Sequence, residues 1–174
     1  MVATAADIVT RKSNSAAVAG DAATGGNNLG KFMSQTGASS GTNAEFDTIT
    51  QSQNLAGQVD YRCVFLANLS TTDFVRACKV WMTNVSGGAN AAIGLDPTGV
   101  VDMNSVTPQA LTIANDATAP AGVVFSSPAN FAAGLVVGDL GPRKCFAVWV
   151  RRTATASGAV SADGVDINIS GTVP

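Results

Sequence analysis

Three segments of this chain share one composition: each is a short apolar run with one or two cations at its edge. They span residues 61–68, 76–82 and 144–152. They hold all three cysteines, both tryptophans, the only tyrosine and six of the ten Lys and Arg residues. Almost everything between them is Ala, Gly, Ser, Thr and Asn. Because short apolar runs bounded by turn-forming residues are typical of buried strands, the pattern predicts a β core that carries long polar segments.

The same reading extends over most of the chain and predicts its fold class. Segments 61–68 and 145–153 are apolar on both faces, which is expected of central strands. Segment 75–82 is expected to be the antiparallel neighbour of 61–68, after a turn at residues 71–73. Shorter strands are predicted at residues 91–95, 122–126, 135–138 and 165–170, the last at a half-exposed edge, with a helix of a turn or two allowed at 130–135. About eight short antiparallel strands predict an all-β fold, either a β-sandwich or a jelly roll.

The N-terminal third differs from the rest. Residues 8–10 are predicted as a short edge strand, and residues 13–42 form a low-complexity stretch of Ala, Gly, Asn and Ser. Such a stretch buries too little apolar area to order itself, so it is either disordered or an arm that orders against a neighbour. We therefore predict an extended arm over residues 1–55 and a β-sandwich domain over 56–174. Leu29, Phe32 and Met33 are its candidate partner contacts, because they are the large apolar side chains of the stretch.

Charge and hydropathy exclude several classes of partner. Charged residues make up 13% of the chain, the net charge is −2 and the pI is about 4.8. A nucleic-acid-binding protein needs clustered cations, so no nucleic-acid partner is predicted. No run approaches the roughly 20 apolar residues of a membrane span, and Asp7 with the Arg11-Lys12 pair interrupts any signal peptide. A surface so poor in charge suits packing against other protein chains.

The residues that usually carry catalysis are missing or scattered. The chain has no histidine, which removes Ser-His-Asp and Cys-His arrangements. Residues 37–41 (GASSG) match a nucleophile elbow, but without a base for the serine proton we interpret the match as chance. The candidate catalytic carboxylates are scattered and lie mostly beside turn formers: Glu45, Asp47, Asp60, Asp96, Asp102, Asp116, Asp139, Asp163 and Asp166. We predict no enzyme, no cofactor and no metal site, and leave open a loose surface Ca²⁺ site at 163–166.

The cysteines and the strand-edge arginines each allow two interpretations. Cys63, Cys78 and Cys145 lie within apolar strand patterns, which favours buried free thiols over a cross-strand bridge between Cys63 and Cys78. Arg62, Arg151 and Arg152 are expected to protect strand edges or to pair with nearby carboxylates such as Asp60. The alternative is that they make bidentate contacts to a partner subunit, which makes them candidate partner contacts.

Several motifs, in order over residues 55–155, resemble a family of tailed-bacteriophage virion proteins. They are DYRC at 60–63, KVW at 79–81, IGLDP at 93–97, APAGVVF at 119–125, GDLGP at 138–142 and AVWVRRT at 147–153. The N-terminal part matches only as a Gly/Asn/Ser-rich lead-in. The segment before DYRC is also less acidic than in family members, so the resemblance implies no N-terminal contacts for this chain.

The resemblance implies a phage structural protein that is assembled in the host cytoplasm and located in the virion. It favours a capsid decoration (cement) protein that binds the major capsid protein or other virion proteins and forms a homo-oligomer in the particle. Long arms suit cementing because they bridge neighbouring subunits. The alternative is a tail or baseplate component, with a host-binding module as a further reading. The sequence shows no cluster of exposed aromatic residues outside the predicted strands, as sugar stacking by such a module would require.

Overall fold

A computed structural model describes residues 7–14, 28–37, 46, 49–86, 89–154 and 164–172. Within these ranges almost all of the regular secondary structure is β-strand, so the predicted all-β class is confirmed. The strands are β1 (Ile8–Asn14), β2 (Phe32–Gly37), β3 (Val59–Asn68), β4 (Val75–Ser86), β5 (Ala89–Leu95), β6 (Val101–Asp102), β7 (Leu135–Leu140), β8 (Lys144–Ala154) and β9 (Gly164–Thr172). One short helix, α1 (Gln51–Leu55), precedes β3.

The strands form two antiparallel sheets that pack as a sandwich. The larger sheet has the order β2-β1-β3-β8-β5, and β6 also pairs with β8. The smaller sheet has the order β7-β4-β9. β3 and β8 pair over nine residues, from Val59 opposite Thr153 to Ala67 opposite Cys145. Both were predicted as central strands, and the structure confirms this for each.

β3 and β8 are apolar on both faces because the larger sheet is covered on both sides. One face, including Val64, Leu66 and Val148, packs against β4 residues such as Val80 to form the core between the sheets. The opposite face carries the other parity of residues from β3 and β8, including Trp149. It packs under the long segment 103–125, which contributes Met103, Ala110 and Ile113. We call this segment the cover segment. The sandwich therefore has three layers at its centre.

Several sequence predictions about individual elements are wrong. β4 is not the neighbour of β3 but the centre of the smaller sheet, because the loop after Asn68 carries the chain across the core. Residues 122–126 form no strand; Ser126 makes an isolated bridge to Ile93 of β5. Residues 131–133 form a turn, not a helix, and α1 was not predicted. Its start is a capping box in which Thr50 and Gln53 satisfy each other's backbone N–H groups.

The described parts of residues 1–55 belong largely to the sandwich, which corrects the predicted arm. β1 is an interior strand, paired with β3 on one side and β2 on the other. Backbone pairing on both sides orders this Ser- and Asn-containing segment although it buries little apolar area. Ser13 and Asn14 are buried in it. The remainder of the predicted arm, residues 1–6, 15–27, 38–45 and 47–48, lies outside the described residues.

All three cysteines are buried free thiols, as predicted. Cys63 and Cys145 lie under the cover segment, whereas Cys78 lies between the two sheets. The alternative bridge from Cys63 to Cys78 would therefore have to cross the larger sheet. The placement of the cysteines excludes it.

Candidate binding surfaces

Arg62 is part of the protein's interior. Its side chain is 1% exposed, and its Nη2 donates to Oδ2 of Asp116 at 3.2 Å. Its Nη1 donates to the backbone carbonyl of Tyr61, and its guanidinium lies 5.5 Å from the ring centroid of Phe46. A buried arginine that is satisfied in this way stabilises its own fold and presents no donor fork to a partner.

Arg152 shares this environment. Its Nη2 donates to Oδ2 of Asp60 at 2.6 Å, and both side chains are largely buried. Its guanidinium lies 4.6 Å from the centroid of the same Phe46 ring. The structure thus favours, for Arg62 and Arg152, the interpretation in which they pair with nearby carboxylates. Arg151, on the opposite face of β8, has no such carboxylate among the described residues.

The three apolar candidates of the predicted arm also point inward. Phe32 is 6% and Met33 5% exposed, and Leu29 packs partly buried against the core beneath the cover segment. The backbone around them pairs with the cover segment: Ile113 N–H donates to the carbonyl of Leu29, and Met33 N–H donates to Oε1 of the buried Gln109. These side chains pack within the chain's own core, so they present little surface to a partner.

The outer face of the smaller sheet carries an exposed apolar cluster. Trp81 lies in one of the three apolar runs that predict buried strands, but on β4 it alternates with the buried Val80 and Met82 and therefore faces outward, half-buried. Its ring meets that of Phe131 edge-on, with centroids 5.6 Å apart. Phe131 is 46% and the nearby Val136 of β7 67% exposed. We call Trp81, Phe131 and Val136 the outer patch.

Lys79 borders the outer patch with a single positive charge. Its Nζ donates to the carbonyl of Ala132 at 3.2 Å and lies 5.2 Å from the ring centroid of Phe131. On β4 it pairs directly with Val136 of β7. The ammonium is therefore held within the patch, whose other exposed side chains are apolar. Such a surface is typical of contact regions between proteins.

An open strand edge adjoins the outer patch. Among the described residues β7 pairs with β4 on one side and with no strand on the other. The edge strand β5 of the larger sheet is partly covered by residues 126 and 127. Ser126 exchanges two backbone hydrogen bonds with Ile93, and Ser127 Oγ donates to the carbonyl of Ala91. An exposed apolar edge strand such as β7 is a ready template for pairing with another chain.

Asp96 is a buried carboxylate that accepts hydrogen bonds from several elements of the fold. It is 4% exposed, and its Oδ2 accepts hydrogen bonds from Trp149 Nε1 at 2.7 Å and from Leu111 N–H at 2.9 Å. Its Oδ1 accepts from Thr98 N–H in the turn that follows β5. One side chain thus joins β5, β8 and the cover segment. The DPTG sequence at 96–99 signalled the turn, but no local pattern signalled the contact with Trp149.

The described residues contain no arrangement that resembles a catalytic site. Burial, followed by the charge of Asp96, raises the pKa of the Cys63 thiol well above its usual value, and burial raises that of Cys145 to about 12. Both thiols therefore stay protonated and unreactive at neutral pH. Within the described ranges no three His, Cys, Asp or Glu residues come together as metal ligands.

Two of the weaker sequence motifs lie at the border of the described residues. The strand β2 ends at Gly37, the first residue of the GASSG motif. The other residues of the motif, 38–41, are outside the described ranges. At the loose calcium candidate, Asp166 lies on β9 and its Oδ2 accepts a hydrogen bond from Asn84 Nδ2 at 2.6 Å. Asp163 lies outside the described ranges.

Comparison with protein-family models, with curated proteins and with solved structures found no match to this chain. Among the described residues no helix is long and apolar enough to cross a membrane.

Proposed function

We propose that this chain is a non-enzymatic structural protein of a bacteriophage virion, and that it acts as a head decoration protein that binds and stabilises the major capsid shell. The motifs between residues 60 and 153 carry the resemblance to such proteins. The observation that supports an assembly role most strongly is the outer patch beside the open edge of β7. A chain with 13% charged residues and an exposed apolar strand edge is suited to extended contact with another protein.

The outer patch offers two kinds of contact to a capsid subunit. Trp81, Phe131 and Val136 supply apolar area, and aromatic residues are enriched at the centres of protein interfaces. The unpaired backbone groups of β7 supply main-chain hydrogen bonds to an extended segment of the partner, as in β-strand addition. The larger sheet and its cover segment then act as the rigid support of this surface.

A host-binding module is the second candidate, and one observation favours it. Trp81 and Phe131 form a partly exposed aromatic pair bordered by polar residues of β4 and β9, such as Thr83 and Asn168. Exposed aromatic rings beside hydrogen-bonding groups suit sugar rings, whose C–H faces pack on aromatic faces. Binding of host-surface saccharides by the isolated chain, lost in Trp81→Ala, would favour this candidate over cementing.

Location within the particle tests the proposal. Purified virions would be labelled with an antibody raised against this chain and imaged by electron cryo-microscopy. The proposed function predicts label over the whole head surface, and heads that break at a lower temperature when the protein is removed. Label confined to the tail or baseplate would instead establish the alternative structural role. Virions without label and without this chain would overturn the proposed function.

A further inference from the structure

Arg151 differs from the other two candidate arginines in its ion pairing, because Arg62 and Arg152 each pair with a carboxylate and Arg151 pairs with none among the described residues. Arg151 lies on the face of β8 that also carries Trp149, directly opposite Tyr61 of β3. Its guanidinium lies 5.3 Å from the ring centroid of Phe125, and the ring of Tyr61 lies 5.5 Å from the same centroid. Phe125 thus joins the two side chains into one cluster, which we call the Tyr61–Arg151 cluster.

The hydrogen-bonding capacity of this cluster is unused. Nε of Arg151 is buried without a hydrogen-bond partner, and the ion pairs of the described residues do not include Arg151. No described group bonds the Tyr61 hydroxyl. Two acids beside Tyr61 are engaged elsewhere: Asp60 pairs with Arg152, and Asp116 accepts from Tyr61 N–H through its backbone carbonyl at 2.7 Å while its carboxylate pairs with Arg62. The cluster therefore presents a cation and a phenol without an anion.

We propose that the Tyr61–Arg151 cluster is a binding site for a carboxylate side chain of a partner protein. The planar guanidinium offers a donor fork that matches a carboxylate, and its packing against Phe125 fixes the fork in place. The Tyr61 hydroxyl is a further donor on the same face. Because the apolar surroundings exclude part of the water, a charge-assisted contact there is stronger than one on an open surface.

The surroundings of the site favour an acidic protein segment over a phosphate polymer. One arginine does not make the clustered cations that phosphate backbones require, and the chain carries a net charge of −2. Val124, next to Phe125, is 80% exposed at the rim. The expected ligand is therefore a Glu or Asp that has an apolar neighbour in its own chain. This inference deepens the proposed function, on which the identity of the partner rests.

The site can be tested without a virion. Tyr61 is the only tyrosine, so 3-fluorotyrosine labelling gives one ¹⁹F resonance at the cluster. We expect a blocked Val-Glu-Val peptide to shift this resonance saturably and a Val-Gln-Val peptide not to. Arg151→Gln should abolish the shift and Arg151→Lys should weaken it. Arg76→Gln is the matched control, because Arg76 is also ring-stacked but pairs with Asp139, and it should behave as the unsubstituted chain. Equal shifts with both peptides, or no shift, would overturn the proposal.

Binding to particles then links the site to the partner. Arg151→Gln should weaken binding to stripped phage heads about tenfold or more, with a smaller dependence on salt than the unsubstituted chain shows. Unchanged binding by Arg151→Gln would show that the partner does not use this site. Failure of the unsubstituted chain to bind heads would overturn the proposed function, whereas the peptide experiment would still decide whether the carboxylate site exists.

Discussion

At the scale of single residues, orientation within a strand decides what each large side chain does. Trp81 and Trp149 look alike in the sequence, since each lies mid-strand among apolar neighbours. Trp149 is 0% exposed and donates to Asp96, because the larger sheet is covered on both faces. Trp81 faces outward, because among the described residues the smaller sheet is covered on one face. The sequence of a strand shows which residues share a face, but it does not show whether other elements cover one face of the sheet or both.

The two tryptophans should therefore differ in their contribution to stability. Trp149→Ala should lower the free energy of unfolding by about 3–5 kcal/mol, through the cavity it leaves and the lost partner of Asp96. Trp81→Ala should cost about 1–2 kcal/mol, because only part of its ring is removed from water. Denaturant unfolding at neutral pH measures both. Equal losses would mean that the outward orientation of Trp81 is wrong.

The buried thiols should make the fold sensitive to alkali. The pKa of Cys145 is about 12 in the folded protein against 9.0 for an ordinary thiol. Between these values the unfolded chain releases the proton and the folded chain keeps it, so the free energy of unfolding falls as the pH rises. One thiol contributes at most about 1.4 kcal/mol per pH unit.

Cys145→Ala isolates this effect from the other groups that titrate in alkali. Its free energy of unfolding, measured from pH 8 upward, should fall less steeply than that of the unsubstituted chain above about pH 9. Parallel profiles for the two proteins would contradict the burial of Cys145.

At the scale of elements, the cover segment is the part of the fold that sequence patterns missed. Residues 103–125 lack strand periodicity, yet they bury the second face of the larger sheet through contacts with β2, β5 and β8. These contacts are made by single groups far apart in the chain, such as Gln109 with Met33 and Leu111 with Asp96. The central strands were predictable because they are apolar on both faces, which indicates burial on both faces. The position of the cover segment was not predictable, because it depends on contacts with residues far away in the sequence.

A pair of glycines tests the close approach of the cover segment to the start of β2. Gly30 and Gly99 both have positive φ, 90° and 76°. A Cβ at Gly30 would lie 1.9 Å from the Leu111 carbonyl oxygen, whereas one at Gly99 would meet nothing within 4 Å. Gly99→Ala should cost about 1 kcal/mol through backbone strain alone. Gly30→Ala should cost about 1–3 kcal/mol more through overpacking.

Thermal and denaturant unfolding of the two glycine variants give the difference directly. Because both positions have a positive φ, the excess for Gly30→Ala reports mainly the steric contact. Equal destabilisation would show that the cover segment does not pack against Gly30.

At the scale of the whole molecule, the described residues form a six-stranded sheet that is supported on one face by the cover segment and on the other by a smaller sheet, whose strand β7 pairs with β4 alone. The sequence predicted the all-β class and the two central strands. It did not predict that Leu29, Phe32, Met33, Arg62 and Arg152 would be used internally, since the partners of these residues lie far along the chain. The outer patch and the Tyr61–Arg151 cluster are the surfaces that we propose for contact with other proteins.

The central claim is that this is a virion structural protein that attaches through the outer patch, and binding to phage heads stripped of the protein tests it most directly. The unsubstituted chain should rebind. Val136→Glu places a charge in the patch and should weaken binding about tenfold or more. Val106→Glu, at a valine of the cover segment that is 80% exposed, should bind normally. Failure of the unsubstituted chain to rebind, or full binding by a folded Val136→Glu variant, would contradict the claim.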